Sequence, residues 1–215
     1  MNILVNEYNL TNIMDIETLA KHLLLDKKLL INGIEHGIVE IEIYCRCIGH
    51  DDPYVHSSKE QLEYGKFYFH RHKNGTFKGG TYKGMDITFG NQDMYFAVLI
   101  RSISGPEGII EGPCKIVNTI LDSYEVKSLN DFIDPNSKLD TLSTTKVLDV
   151  FNNHRKLHLI DTNIKSSVFK EIYFGPRVGL NPRLSPEWCN VAYRFTTHNK
   201  LKRCRASLQS LDVTL

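Results

Sequence analysis

A chain of 215 residues with 41% hydrophobic and 24% charged residues buries a sizeable core as one soluble, globular domain, which excludes a disordered or fibrous protein. Its net charge of +1 excludes a global field drawing it onto nucleic acid, and nothing approaches the roughly 20 apolar residues of a membrane span. Met1 to Glu7 lacks the basic flank and apolar run of a secretory signal, so an intracellular location, nucleus or cytoplasm, is expected.

Taken in chain order, residues Ile16 to Lys27 predict an amphipathic helix with Leu19, Leu23 and Leu24 on one side and Asp15 as N-cap. Strands follow at Leu29 to Asn32 and Ile38 to Cys47, separated by the turn residues Asn32-Gly33. Within the second, alternation puts Val39, Ile41, Ile43 and Cys45 on a core face and Glu40, Glu42 and Tyr44 on the other. The turn at Asp52-Pro53 can fold His56 back towards that second face. A carboxylate, an aromatic ring and an imidazole around one hollow can bind a base and activate a water. The same alternation also describes any half-buried strand with a polar outer face.

The five cysteines (45, 47, 114, 189 and 204) are odd in number and scattered, which reads as reduced thiols. Cys45, Cys47 and His50 sit near one another, but no second pair of ligands completes a structural zinc site, so no metal is expected.

Lys66 to His72 and Gly84 to Phe89 read as two further strands around a Gly-rich segment. Lys66, His70, Arg71, His72, Lys73, Lys78 and Lys83 are interleaved there with Phe67, Tyr68, Phe69, Phe77 and Tyr82. A second basic cluster lies between His198 and Arg205. Such mixtures suit backbone contact and base stacking, or equally a solvated hairpin edge that lysines protect. Tyr95 to Ser104 is a buried strand whose apolar run stops at Arg101, a cation that wants an anionic partner or snorkels to solvent.

Gly112-Pro113 opens a helix on proline at its first position, with free amides suited to an anion. Thr145 to Phe151 reads as a further helix, Asp131 to Ser143 as a polar loop, and Tyr173 to Leu180 and Val191 to Thr197 as late strands. The predicted architecture is a single α+β domain, residues 1–215: a curved, mostly antiparallel sheet flanked by helices, with a pocket on the Glu42 face.

Several of these segments fall into a familiar order. Leu19 to Leu29 looks like an opening helix and strand; Glu40-Ile-Glu-Ile-Tyr44 is similar to Glu-Thr-Glu-Ala-Tyr, and Asp52-Pro-Tyr-Val-His56 to Asp-Pro-x-x-His. Val98-Leu-Ile-Arg101, Gly112-Pro-Cys-Lys115, Pro176-Arg-Val-Gly-Leu180 and Tyr193-Arg-Phe195 complete the series. In this order, over most of the chain, the motifs resemble the alkyladenine (3-methyladenine) DNA glycosylase family.

The resemblance implies excision of an alkylated or deaminated purine from double-stranded DNA after the nucleotide is flipped into a pocket. It implies Glu42 as general base on the attacking water and Arg101 as the group that positions it. Tyr44 and His56 would hold the flipped base, with Asp86 and Tyr82 as further pocket residues. Lys83, Gly112, Lys115 and Arg177 would contact DNA. It also implies a monomer without cofactor or metal. No lysine matches a Schiff-base role in that family, so base release by water alone is expected.

The departures cluster on base-reading elements. Ser57 to Gly65 replaces the Thr-Pro-Arg-Asn segment, Phe77 to Met85 reshapes the intercalating hairpin, and Asp86 stands where an asparagine is usual. The stretch between Arg101 and Gly112 is shortened. Two other readings accompany the first: a noncatalytic nucleic-acid or nucleotide-binding module of the same fold, and a hydrolase of another N-glycoside such as a nucleoside.

Overall fold

Asn32 and Gly33 both take positive φ, 47° and 85°, and so return β1 (Lys27–Ile31) tightly onto β2 (Ile34–Cys47). Paired left-handed residues match the twist of the two strands they join, which is why Asn-Gly marks such turns. The computed structural model describes residues 13–133, 148–149, 157–162, 171–201 and 208–211.

Chain order continues with β3 (His50–Asp51), β4 (Tyr64–Phe69), β5 (Met85–Phe89), β6 (Tyr95–Gly105), β7 (Gly108–Glu111), β8 (Leu148–Asp149), β9 (Leu157–Asp161), β10 (Ile172–Gly175), β11 (Arg194–Thr196) and β12 (Gln209–Leu211). They form one curved sheet in the order β12-β10-β11-β2-β6-β5-β4-β8, with β1 and β9 branching from β2, and all pairings are antiparallel. With its flanking helices this is the expected α+β domain.

One face carries the core. Ile41, Ile43 and Cys45 of β2 join Phe96, Val98 and Ile100 of β6 against the opening helix α1 (Ile13–Lys21) and α2 (Pro113–Ser123). Each such side chain, fully enclosed, contributes roughly 1.5–3 kcal/mol. Helix α1 runs into one wider, π-type turn, His22–Asp26, which buries Leu23 and Leu24 as the apolar spacing predicts. Asp15 lies within the first turn of α1, so it is not the N-cap. Helix α3 (Leu129–Ile133) adds Phe132 to the core and takes in the start of the segment read as a loop; residues 134–143 of that segment lie outside the described residues. Leu148 and Asp149 pair with β4 instead of forming a helix; the other residues of that expected helix lie outside the described ones.

The alternation predicted for β2 holds from Glu40 onward but not before it. Ile38, rather than Val39, joins the core. Between Ile38↔Ile103 and Glu40↔Ser102, β2 carries one extra residue; between Glu40↔Ser102 and Ile41↔Ile100, β6 carries one extra, Arg101. Each is a bulge, and each shifts the phase of the side chains by one. The freed carbonyl of Val39 accepts from Thr197 N at 3.0 Å, and that of Arg101 accepts from Gly112 N at 2.7 Å.

On the opposite face, cross-strand register lines up Tyr68 (β4), Asp86 (β5), Leu99 (β6), Glu42 (β2) and Arg194 (β11) in one row. The segment 176–193, containing the short helix α4 (Pro186–Cys189), lies over part of this face. Among the described residues no helix is long and apolar enough to cross a membrane.

Candidate functional site

Glu42 is wholly enclosed, and three donors meet its carboxylate. Tyr44 Oη lies 2.9 Å and Arg101 Nη1 3.2 Å from Oε2, while Val178 N lies 2.6 Å from Oε1. Burial pushes the Glu42 pKa above the ordinary glutamate value; Arg101, the Val178 amide and the Tyr44 hydroxyl pull it back without cancelling the effect. Burial opposes the charge on Arg101, but Glu42 and Glu40 outweigh it and hold the guanidinium protonated. Burial, reinforced by Glu42, holds the Tyr44 phenol well above its usual range, so it stays a donor.

Glu40 has a different task. Arg194 Nε reaches its Oε1 at 2.6 Å and Ser102 Oγ its Oε2 at 2.7 Å, all three side chains being buried. These contacts tie β11 and β6 to β2. Glu40 is structural; Glu42 is the carboxylate next to the cavity wall.

The cavity, about 240 Å³, opens on the outer side of Tyr44. That is smaller than the roughly 300–1,000 Å³ of pockets that hold drug-sized ligands, and suits a single heterocycle. Tyr44, His56 and Tyr82 supply rings, Asp86 and His70 a polar side, and Leu180 an apolar contact. Tyr54, Gln61 and Lys78 also line it. Tyr82 is 77% exposed, so it stands at the rim.

Asp86, buried in the sheet, accepts from His70 Nε2 at 2.8 Å. The His70 and His56 rings meet edge to face with centroids 4.6 Å apart. Lys78 Nζ lies 3.0 Å from His56 Nε2, and an ammonium only donates, so that nitrogen is the acceptor. His56 Nδ1 then carries the proton and donates to Tyr68 Oη at 3.3 Å. Burial, with His70 and Lys78 nearby and against the pull of Asp86, lowers the His56 pKa to about 4. Neutral His56 is thereby fixed in one tautomer.

Glu42, Arg101, Tyr44, His56, Asp86 and Tyr82 are thus gathered at or directly behind one hollow. The expected DNA contacts divide. Lys115 is exposed on α2, and Lys83 is held by the Asn118 side chain of the same helix. Gly112 is buried as the N-cap of α2 at φ 110°, and its N–H is taken by the Arg101 carbonyl, so that amide cannot meet a phosphate.

Arg177 is also corrected. Its side chain is fully buried, with Nη1 2.6 Å and Nη2 3.2 Å from the two Asp52 oxygens and Nη1 3.1 Å from the Ile43 carbonyl. The guanidinium stacks over Tyr44 at 4.5 Å. It anchors the 176–193 segment and braces the ring of Tyr44 from behind; it does not face DNA.

Five cavity-lining residues were not assigned to the pocket from sequence: Tyr54, Gln61, His70, Lys78 and Leu180. Tyr68, the hydrogen-bond partner of His56, was also missed and lines the adjoining groove. Alternation along β4 contained the signal for Tyr68, since Phe67 and Phe69 occupy the core face. Gln61, buried under the 3₁₀ turn Lys59–Leu62, comes from the segment that departs from the glycosylase pattern. An open groove adjoins the cavity, lined in part by Lys59, Arg71, His72 and Lys73, and Tyr54, His56 and Lys78 belong to both hollows. Cys45 is buried in the core, and His50 packs edge-on against Trp188. Among the described residues no group of three or more His, Cys, Asp or Glu side chains could hold a metal ion.

Compared with models of known protein families, the chain matches none. Uncharacterized protein L759 of Acanthamoeba polyphaga mimivirus is 38% identical over 200 residues, which cover 86% of this chain and 87% of the relative. The chain belongs to the same family as that mimivirus protein.

Proposed function

For this member of that family we propose a DNA glycosylase activity: release of an alkylated or deaminated purine by water attack on the N-glycosidic bond of a flipped nucleotide. One observation carries the reading. A cavity sized for one heterocycle has an aromatic wall, Tyr44, whose hydroxyl is bonded to an enclosed carboxylate paired with Arg101.

In this reading the base stacks on Tyr44 against His56, and Lys59, Arg71, His72 and Lys73 in the adjoining groove hold the phosphates. Glu42, with its raised affinity for a proton, accepts one from the attacking water. That water needs a place at the carboxylate. Val178 N now occupies Oε1 at 2.6 Å, so lifting the Pro176–Leu180 segment as the nucleotide enters would uncover the base.

The complete enclosure of Glu42 also favours a second reading, a module that captures an extruded base without cleaving it. Incubating the protein with duplexes carrying 3-methyladenine, 1,N6-ethenoadenine or hypoxanthine separates the two. Abasic sites formed by the wild type and not by Glu42→Gln support the enzyme. Tight lesion binding with no base release supports the module, and release from free nucleosides alone overturns both in favour of a nucleoside hydrolase.

A further inference from the structure

Lys78 lines the cavity, and neither base stacking nor water activation employs it. It comes from the Gly-rich segment between β4 and β5, and its backbone N–H donates to the His70 carbonyl at 2.9 Å, which fixes the stem beside the hollow. Its ammonium is directed at an imidazole, His56 Nε2, 3.0 Å away, and both groups line the same cavity. Lys78 and His56 also border the adjoining groove, so this nitrogen sits where the cavity and the groove meet.

We propose that Lys78 is an amine nucleophile for the C1′ aldehyde of an abasic site, giving the protein a strand-cleaving lyase activity in the same cavity. This goes beyond the base release by water described above and rests on that reading only for the presence of an abasic deoxyribose in the pocket. Burial holds the Lys78 pKa below the ordinary lysine range against the opposing pull of Asp86, which increases the neutral fraction available to react.

The step balances with water as proton source and sink. Neutral Lys78, its proton lost to solvent, adds its lone pair to C1′ of the ring-opened sugar, and a nitrogen proton moves to the oxygen to give a carbinolamine. A proton from solvent goes to the hydroxyl, which leaves as water, and a C1′ iminium remains. His56 then takes a proton from C2′, the C–H electron pair moves into a C1′–C2′ double bond, and nitrogen accepts the displaced pair. When that pair returns, the C3′–O bond breaks and the 3′ phosphate departs with its electrons. Water hydrolyses the unsaturated imine to the aldehyde and frees Lys78.

The test uses the full chain and a duplex with one preformed abasic site, so that base release is not needed first. Sodium borohydride reduces an imine to a stable amine, and the expected result is a covalent protein–DNA adduct whose attachment maps by mass spectrometry to the peptide containing Lys78. Lys78→Arg keeps the charge and phosphate attraction but cannot form the imine; its adduct should fall below about one-tenth of wild type. No wild-type adduct, or equal adduct from Lys78→Arg, overturns the proposal. Base release scored separately on a hypoxanthine duplex distinguishes the two claims. Release without adduct sinks only the lyase, and adduct without release sinks only the glycosylase.

Discussion

The Tyr44 hydroxyl donates to Glu42 Oε2 across 2.9 Å, joining two neighbours on one face of β2 whose surroundings differ completely. Tyr44 forms a wall of the cavity, while Glu42 is sealed behind it. The hydroxyl is therefore the direct link between whatever stacks on the ring and the carboxylate.

Tyr44→Phe tests that link because it keeps the stacking surface. Lesion-duplex affinity should stay within about threefold of wild type, while single-turnover base release drops about tenfold or more. Arg101→Ala should likewise lower release, by about 100-fold, more than it lowers binding. Parallel losses of binding and release in Arg101→Ala would remove its water-positioning role.

Asp86 places a carboxyl group on the cavity surface beside His70. A cationic base such as 3-methyladenine should gain from it, and neutral hypoxanthine should not. Asp86→Asn should therefore reduce the ratio of kcat/KM for 3-methyladenine over hypoxanthine by about tenfold, measured with both duplexes in competition. An unchanged ratio would mean the carboxyl group serves only to orient His70.

His56 gives the site a pH signature. Its pKa falls from 6.5 to about 4 on folding through burial and the charges of His70 and Lys78, against the pull of Asp86. Above pH 6.5 it is neutral in both states. Between 6.5 and about 4 the unfolded chain binds a proton that the folded chain resists, so stability is lost as pH falls through this window. Urea unfolding from pH 7 to 4 should show less acid loss in His56→Gln, and the His56 Hε1 resonance should titrate near pH 4.

Asp52 and Arg177 test the corrected assignment. Each is buried and satisfied mainly by the other, so Asp52→Asn or Arg177→Met strands a charge and should cost about 3–5 kcal/mol in urea unfolding. The double variant should cost less than the sum of the two. A change confined to the salt dependence of DNA binding, with stability intact, would instead return Arg177 to the DNA surface.

The legible parts of this fold were those fixed by local chemistry. Asn32-Gly33 specified a turn, Gly112-Pro113 a helix start, and the alternation from Ile41 to Cys45 the sheet face. Arg177 was misread because an arginine in the stretch Tyr173 to Leu180, read as one strand although β10 ends at Gly175, gives no sign of the buried aspartate, 125 residues away, that claims it. Lys78 and His70 were seen only as members of a basic cluster, since their convergence on His56 depends on how the Gly-rich segment closes over β4 and β5. Thr145 to Phe151 has helical spacing, and the edge of β4 overrides it at Leu148 and Asp149.

The two bulges in the central strand pair behave as a frameshift and its suppressor. Val39 puts β2 one residue ahead, and Arg101 restores the count, so Ile38 and Ile41 both face the core although three positions separate them. Arg101 is thus a spare residue in the ladder as well as the partner of Glu42. Deleting it would not merely remove a cation: one half of β6 would turn over, exchanging buried isoleucines with the polar row. The register of the central strand pair thus rests on two extra residues on neighbouring strands, Val39 and Arg101, each offsetting the other.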